Sequence, residues 1–332
     1  MDNDKPAPET IVEGMIDVMS KHYSYLAIKQ DEFEQAKSIL RSGSKKINDY
    51  SELTKLAVEA FSCLDDGHVR VVDEQGNQHS KYKDAPRNFD YGVAEKYLTE
   101  IQKSGPITIS KLDDIMYLRI NSFCNTTNKH FEWLYSQDIS KHRKFIIDLR
   151  ANGGGSEPLG IPLVSSMSGP EENIITSYTR RRTDENDPSK LSDFRPRYML
   201  PNVSSFKRDV VVLTGAKTYS SAEGITMHLA AIPGTILIGD VTGGGSGNPQ
   251  PYLVDGPNIG QKMPYDAKPK DLHANFAMTI PSWLSYRLDQ VLLQNNGIRP
   301  HILIESKDSI VDNRDLVLER AIDFHRNGYI AR

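Results

Sequence analysis

The chain has 332 residues, of which 38% are hydrophobic and 25% charged, and a formal net charge of -4 at pH 7. That is ordinary globular material, long enough for one large domain plus a smaller one, and it excludes the basic footprint of a nucleic-acid binder. No lysine or arginine run offers a polybasic membrane patch, so peptide or small-molecule partners are expected.

The two cysteines, Cys63 and Cys124, lie far apart with no C-x-x-C and no metal-type cluster, and are expected to be buried free thiols. No segment approaches the roughly 20 apolar residues needed to span a bilayer, and the start "MDNDKPAPET" has neither the basic nor the apolar region of a signal peptide. The expectation is a cytoplasmic protein, or a mature form whose export signal has been removed.

In chain order, Ile11, Met15, Val18 and Met19 recur at helical spacing, and Leu53, Leu56, Ala57, Ala60, Phe61 and Leu64 do so more strongly. Residues 1–72 are therefore expected to form an N-terminal helical subdomain. Its last helix runs into "LDDGHVRVV", where Asp65, Asp66 and Gly67 break the helix and a short strand follows. His68 falls on that junction, where a side chain can be aimed into a cleft. Residues 73–105 are polar and read as a connecting segment, too short for an inserted peptide-binding domain. From 106 to 332 the texture changes. "IMYLRINSF", "KFIIDLR", "DVVVLTG" and "TILIGD" are short β-rich runs separated by helical stretches and glycine loops, the alternation of an α/β domain, closed by the amphipathic helix in "DNRDLVLERAIDFH".

Several of these junctions can carry chemistry. "FIIDLRANGGGS" runs a buried-strand pattern into Gly153, Gly154 and Gly155, whose amides can serve as oxyanion donors, although a flexible turn would read the same way. Neither this loop nor "VTGGGSGNP" has the order of a nucleotide-binding loop. In "DVVVLTGAKTYSSAEGI" a strand passes through a tight connection into a helix start. Ser220-x-x-Glu223 there is a capping box, and Ser220 and Ser221 also stand where helix N–H groups and the helix dipole stabilise an anion. Capping alone accounts for these residue types; an attacking serine additionally needs a base. Among the nine histidines, His68 holds the strongest position and His228, inside the helix that follows the serines, reads as packed. There is no H-E-x-x-H and no dense acidic group, so neither metal nor cofactor is expected.

The ordered blocks "LDDGHV", "IMYLRINSF", "FIIDLRANGGGS", "VVVLTGAKTYSSAEGI", "ILIGDVTGGGSG" and "GIRPHILI" resemble the tail-specific, or C-terminal-processing, serine proteases and their tricorn-core relatives. The resemblance implies a crotonase-like (ClpP-like) α/β spiral core without a peptide-binding PDZ insertion, and a peptide or protein substrate. It also implies a serine nucleophile in S-x-x-E, which carries over to Ser220, and an oxyanion hole made by the amide of Ser221 with Gly153 or Gly154. An extracytoplasmic bacterial location follows from the same likeness.

The two branches of that family differ in their base. The tail-specific branch places a lysine in the loop after G-E-x-T, where this chain has Gly245 and no lysine, which excludes that mechanism. The tricorn-like branch uses a histidine matching His68, supported by a preceding serine, here Gly67, and by a glutamate whose place is taken by Gln294; the aspartate after the proline is His301. Gln294 can fix the imidazole tautomer but cannot offset an imidazolium charge, so lower activity is expected unless Asp65, Asp66, Asp240 or Asp289 substitutes. The function expected is a serine-type peptidase with Ser220 attacking and His68 as general base. Its alternative is a weak or inactive relative binding peptides or apolar ligands in the same cleft. An acyl-transferring crotonase-fold enzyme would need a coenzyme A site, and the chain shows no adenine or pyrophosphate signature. With a reference pKa near 6.5, His68 predicts a kcat/KM that rises through about pH 6 to 7.

Overall fold

A computed structural model describes residues 5–82, 84–124, 128–169, 173–199 and 208–327. It divides the chain into two compact units, neither contiguous: Met1–Asp84, Thr179–Arg195 and Ser246–Ser285 form the first, and Ala85–Tyr178, Pro196–Gly245 and Tyr286–Arg332 the second.

In the first unit the helices Pro8–His22, Gln30–Ser44 and Tyr50–Phe61 present the apolar positions read from the sequence, and Ile11, Met15, Val18, Met19, Leu53, Ala57 and Ala60 are buried. Proline opens the first helix where its missing N–H costs nothing, and Asp49 caps the third by accepting from the Glu52 N–H at 2.9 Å. The unit is not only helical. Arg70–Val72 is the third strand of an antiparallel sheet ordered Pro249–Leu253, Ala277–Pro281, Arg70–Val72, Gln78–His79, with Val71 opposite Met278. Its two longest strands come from far along the chain, so the local pattern of residues 1–72 could not show them.

The second unit is built on a seven-stranded mixed sheet ordered Ile302–Leu303, Ile236–Gly239, Asp209–Thr214, Lys144–Asp148, Ile115–Ile120, Ile107–Leu112, Thr99–Ser104. The first five run parallel and the last two join antiparallel. Along Lys144–Asp148, Phe145 and Ile147 enter one apolar cluster and Ile146 the other, the period of two expected of a strand covered on both faces. The helices Asn128–Ser136, Ile161–Met167 and Ser221–Ala230 supply the first cluster, and Leu316–Asn327 the second. The segment 73–105 is not a plain connection: Gln78–His79 joins one sheet, Thr99–Ser104 joins the other, and Val93, Ala94 and Leu98 are buried.

Beyond the carboxyl end of Lys144–Asp148 the chain is pinned by Arg150. Its guanidinium, wholly buried, bonds both Asp148 oxygens and both Asp315 oxygens at 2.8–3.0 Å. The glycine loop therefore leaves the sheet from a fixed point, at the end of the strands where α/β folds place their ligands.

Candidate active site

Ser220 immediately precedes the Ser221–Ala230 helix with φ 59° and ψ -126°. A side chain in that region costs about 1–3 kcal/mol and persists only where its surroundings impose it. Here they do. The Ser220 N–H donates to the Gly245 carbonyl at 3.0 Å and to Glu223 Oε2 at 3.1 Å, and the preceding Tyr219 N–H donates to the Asn152 carbonyl at 3.0 Å. The capping box is present, so capping is real. Capping does not require a left-handed serine, however, because N-cap residues ordinarily sit in the β region. The strain is the additional signal.

The glycine loop reaches this turn. A Cβ on Gly154, whose φ is 99°, would fall 2.7 Å from Ser220 Cβ and 2.9 Å from the Ser221 nitrogen, so only glycine permits the approach. Asn152, fully buried, shapes the loop: its Oδ1 accepts the Gly154 N–H at 2.9 Å and its Nδ2 donates to the Ile120 carbonyl at 2.9 Å. The Gly154 carbonyl accepts from Phe123 N–H at 2.9 Å, and the Ser221 hydroxyl donates to the Gly155 carbonyl. The Gly154 amide is thus already engaged by a side chain. The exposed Gly153 has open space around it and heads the loop. Asn152 escaped the sequence reading, although an asparagine two residues before a glycine is the mark of a side-chain-closed turn.

Behind Ser220 lies a second glycine loop. The Glu223 carboxylate, fully buried, accepts from the Thr242 hydroxyl and the Gly244 N–H at Oε1, and from the Gly245 and Ser220 N–H groups at Oε2. Burial pushes its carboxyl up to about 7 against the pull of these donors. Gly245, the place of the lysine in the other branch, has no room for any side chain: a Cβ there would lie 1.8 Å from the Tyr219 ring. Gln294 is buried, and its amide donates to Asn295 Oδ1 at 3.2 Å. Asn295 in turn gives its N–H to the Gly244 carbonyl at 2.7 Å, which ties the Gln294 turn to the same loop. Asp240 accepts from the Ser306 amide and hydroxyl, and Asp289 pairs with Arg287 at 2.6 Å.

His68 belongs to the first unit, in the turn ahead of Arg70–Val72, and is only 2% exposed. Asp66 Oδ1 accepts the His68 backbone N–H at 2.9 Å and stands 3.9 Å from His68 Nδ1, while Asp66 Oδ2 accepts the Tyr23 hydroxyl at 3.0 Å. Burial pushes the imidazole down to about 3, aided by the Arg70 guanidinium, and pushes the Asp66 carboxyl up to about 6. Both shifts favour uncharged forms in a dry pocket. The sequence expectation of an imidazole near 6.5 is therefore displaced far downward. Tyr23 carries no local signal, being 43 residues from Asp66.

His228 is buried as expected, its Nε2 3.1 Å from Glu157 Oε1. Cys63 is half-buried and Cys124 exposed, so the expectation of two buried thiols fails. Among the described residues no group of His, Cys, Asp and Glu could hold a metal ion, and no helix is long and apolar enough to cross a membrane.

A model of peptidase family S41 matches residues 114–304, more than half of the chain. No curated protein shows significant sequence similarity to it. Among solved structures, a candidate peptidase from Parabacteroides merdae superposes with a TM-score of 0.75 at 22% identity, covering 96% of this chain and 97% of that one. A lipoprotein from Streptococcus agalactiae gives 0.61 at 13%, with 99% of each chain covered. The photosystem II D1 C-terminal processing protease gives 0.52 at 11%, covering 95% and 97%. At these identities the superpositions establish the fold.

Proposed function

The chain belongs to peptidase family S41, whose members are serine peptidases, and from that premise we propose that Ser220 is its nucleophile, His68 its general base, and the amides of Ser221 and Gly153 its oxyanion donors. Its substrates are peptides or proteins, as the family implies.

The observation that carries the reading is the strained Ser220 turn at a helix start. The hydroxyl stands where the positive end of the helix dipole favours the charge of a tetrahedral intermediate. In the proposed step His68 takes the Ser220 hydroxyl proton as the oxygen bonds to the scissile carbonyl carbon, and returns it to the leaving amine as the C–N bond breaks. A neutral imidazole is required, and burial keeps His68 neutral across the physiological range. Gly153 replaces Gly154 as the loop donor because the Gly154 N–H already serves Asn152. Of the four acids considered for orienting His68, Asp66 shares its pocket, so we assign it that role ahead of Gln294. An extracytoplasmic bacterial location belongs to the same reading.

The experiment is hydrolysis of an unstructured peptide by the wild type and by Ser220→Ala. Activity in the wild type alone supports the assignment; equal cleavage by both overturns it. A second reading has one observation in its favour: an amide, Gln294, stands where the related histidine-base enzymes carry a carboxylate, which suits a weak or inactive relative that binds peptides.

A further inference from the structure

We infer that Glu223 is a positioning residue: as a carboxylate it ties the Ser220 amide, both amides of Gly244–Gly245 and the Thr242 hydroxyl to one point, and so holds the nucleophile in its strained geometry. The inference rests on Ser220 being the nucleophile, and adds to it the group on which that geometry depends.

An ionised carboxyl offers only acceptors, and three of the four groups facing Glu223 are backbone N–H donors, the fourth being the Thr242 hydroxyl. Two N–H groups converge on Oε2; one N–H and the Thr242 hydroxyl converge on Oε1. Thr242 Oγ1 also accepts the Ile298 N–H at 2.7 Å. A neutral carboxyl must place a proton among these donors: on Oε2 it confronts two N–H groups, and on Oε1 it is accommodated only if the Thr242 hydroxyl turns to accept it. The bond to Ser220 opposes the backbone's relaxation out of its left-handed region. The bond to Gly244 fixes the loop whose carbonyl receives Asn295, so the same carboxylate also sets the turn that carries Gln294.

Burial brings the protonation of Glu223 to about pH 7, within the working range of an enzyme, whereas His68 is held far below it. Among the described residues no charged side chain hydrogen-bonds to Glu223. On the neighbouring elements, Asp240 is bound to Ser306, Arg287 to Asp289 and the Gly297 carbonyl, and His228, on its own helix, to Glu157. An acid limb of activity near neutrality is therefore the signature of Glu223.

The test measures kcat and KM on an unstructured fluorogenic peptide between pH 5.5 and 9, together with the rate at which a phosphonate labels Ser220, in wild type, Glu223→Gln and Thr242→Val. Wild-type kcat should fall below about pH 7. In either amide orientation Glu223→Gln places an NH2 against at least one N–H group, and it should lower kcat about 100-fold with KM within about threefold, leaving no acid limb near neutrality. Thr242→Val removes one donor to the carboxylate and should move the limb up by about one pH unit. Should Glu223→Gln fail to fold, an unshifted limb in Thr242→Val overturns the inference. So does a folded Glu223→Gln that keeps the wild-type kcat and limb while Ser220 still labels. Wild-type Ser220 that never labels would instead sink the nucleophile assignment, and this inference with it.

Discussion

The Ser220 turn and the His68 pocket are both buried, yet they are built on opposite principles. Around Ser220 the backbone is saturated with hydrogen bonds, and a buried carboxylate is met by four donors. Around His68 the dominant influence is exclusion of water, which pushes a base down and an acid up. The first arrangement fixes geometry at the cost of strain; the second fixes protonation state. Fixed geometry suits the proposed nucleophile; for the proposed base, neutrality comes with weak basicity, because a ring held near 3 accepts a proton readily only where a counter-charge stabilises the imidazolium.

The contrast breaks most directly at Ser220. Ser220→Ala is expected to lower kcat by about 10⁴-fold or more, while the lost cap costs only about 1 kcal/mol of stability, read as a small change in Tm. Ser221→Ala should be much milder. The Ser221 amide survives the change, and what is removed is the hydroxyl's bond to the Gly155 carbonyl. Lethality of the Ser221 change with retention in Ser220→Ala would reverse the register.

In the His68 pocket the largest effect is on stability against pH. The folded pKa of His68 lies below its unfolded value of 6.5, so the neutral ring contributes stability above pH 6.5 that is lost as pH falls toward 3. The magnitude is on the order of 5 kcal/mol. Asp66 acts in the opposite sense: raised from 3.8 to about 6, it contributes stability at low pH that is lost as pH rises through that window. Asp66→Asn should therefore steepen the acid loss and His68→Gln should flatten or reverse it, as followed by urea midpoints from pH 3.5 to 7.5. Superimposable profiles for all three proteins would mean that the pocket is wet. In catalysis Asp66→Asn should also lower kcat, because an imidazolium formed 3.9 Å from the carboxylate loses its counter-charge.

The smallest expected effect is at Gln294. If Gln294 orients His68, Gln294→Glu should raise kcat/KM about tenfold, with the gain growing as pH rises should the new carboxyl be held protonated by burial. Its amide bond to Asn295 and the presence of Asp66 beside His68 favour the contrary outcome, no gain at any pH in a folded variant. A gain would assign Gln294 to the proposed base; its absence in a folded variant would assign another group, or a site that is not catalytic.

Much of this was legible in the residues themselves. The strand-to-helix passage around Ser220, the glycine loop after "FIIDLR" and the turn bearing His68 all stand where local pattern put them, because each is set by contiguous residues. What escaped was non-local. The pairing of Arg70–Val72 with Ala277–Pro281 joins segments about 200 residues apart, and no periodicity near residue 70 encodes it. Tyr23 reaches Asp66, and Thr242 reaches Glu223, for the same reason. The imidazole's departure from 6.5 was likewise invisible, since burial is a property of packing and not of the dipeptide in which a histidine sits. Glu223 was read correctly as a cap residue, but its ties to the second glycine loop belong to the folded chain.

Hydrolysis by the proposed route requires that Ser220 carry an activated hydroxyl. The direct measurement is labelling of the wild type, Ser220→Ala and Ser221→Ala with a serine-reactive phosphonate at pH 8, with the adduct located by peptide mass spectrometry. The expected result is a single adduct on Ser220, formed in wild type and Ser221→Ala and absent from Ser220→Ala. An adduct on Ser221, or no adduct in a wild-type preparation that cleaves peptide, would contradict it.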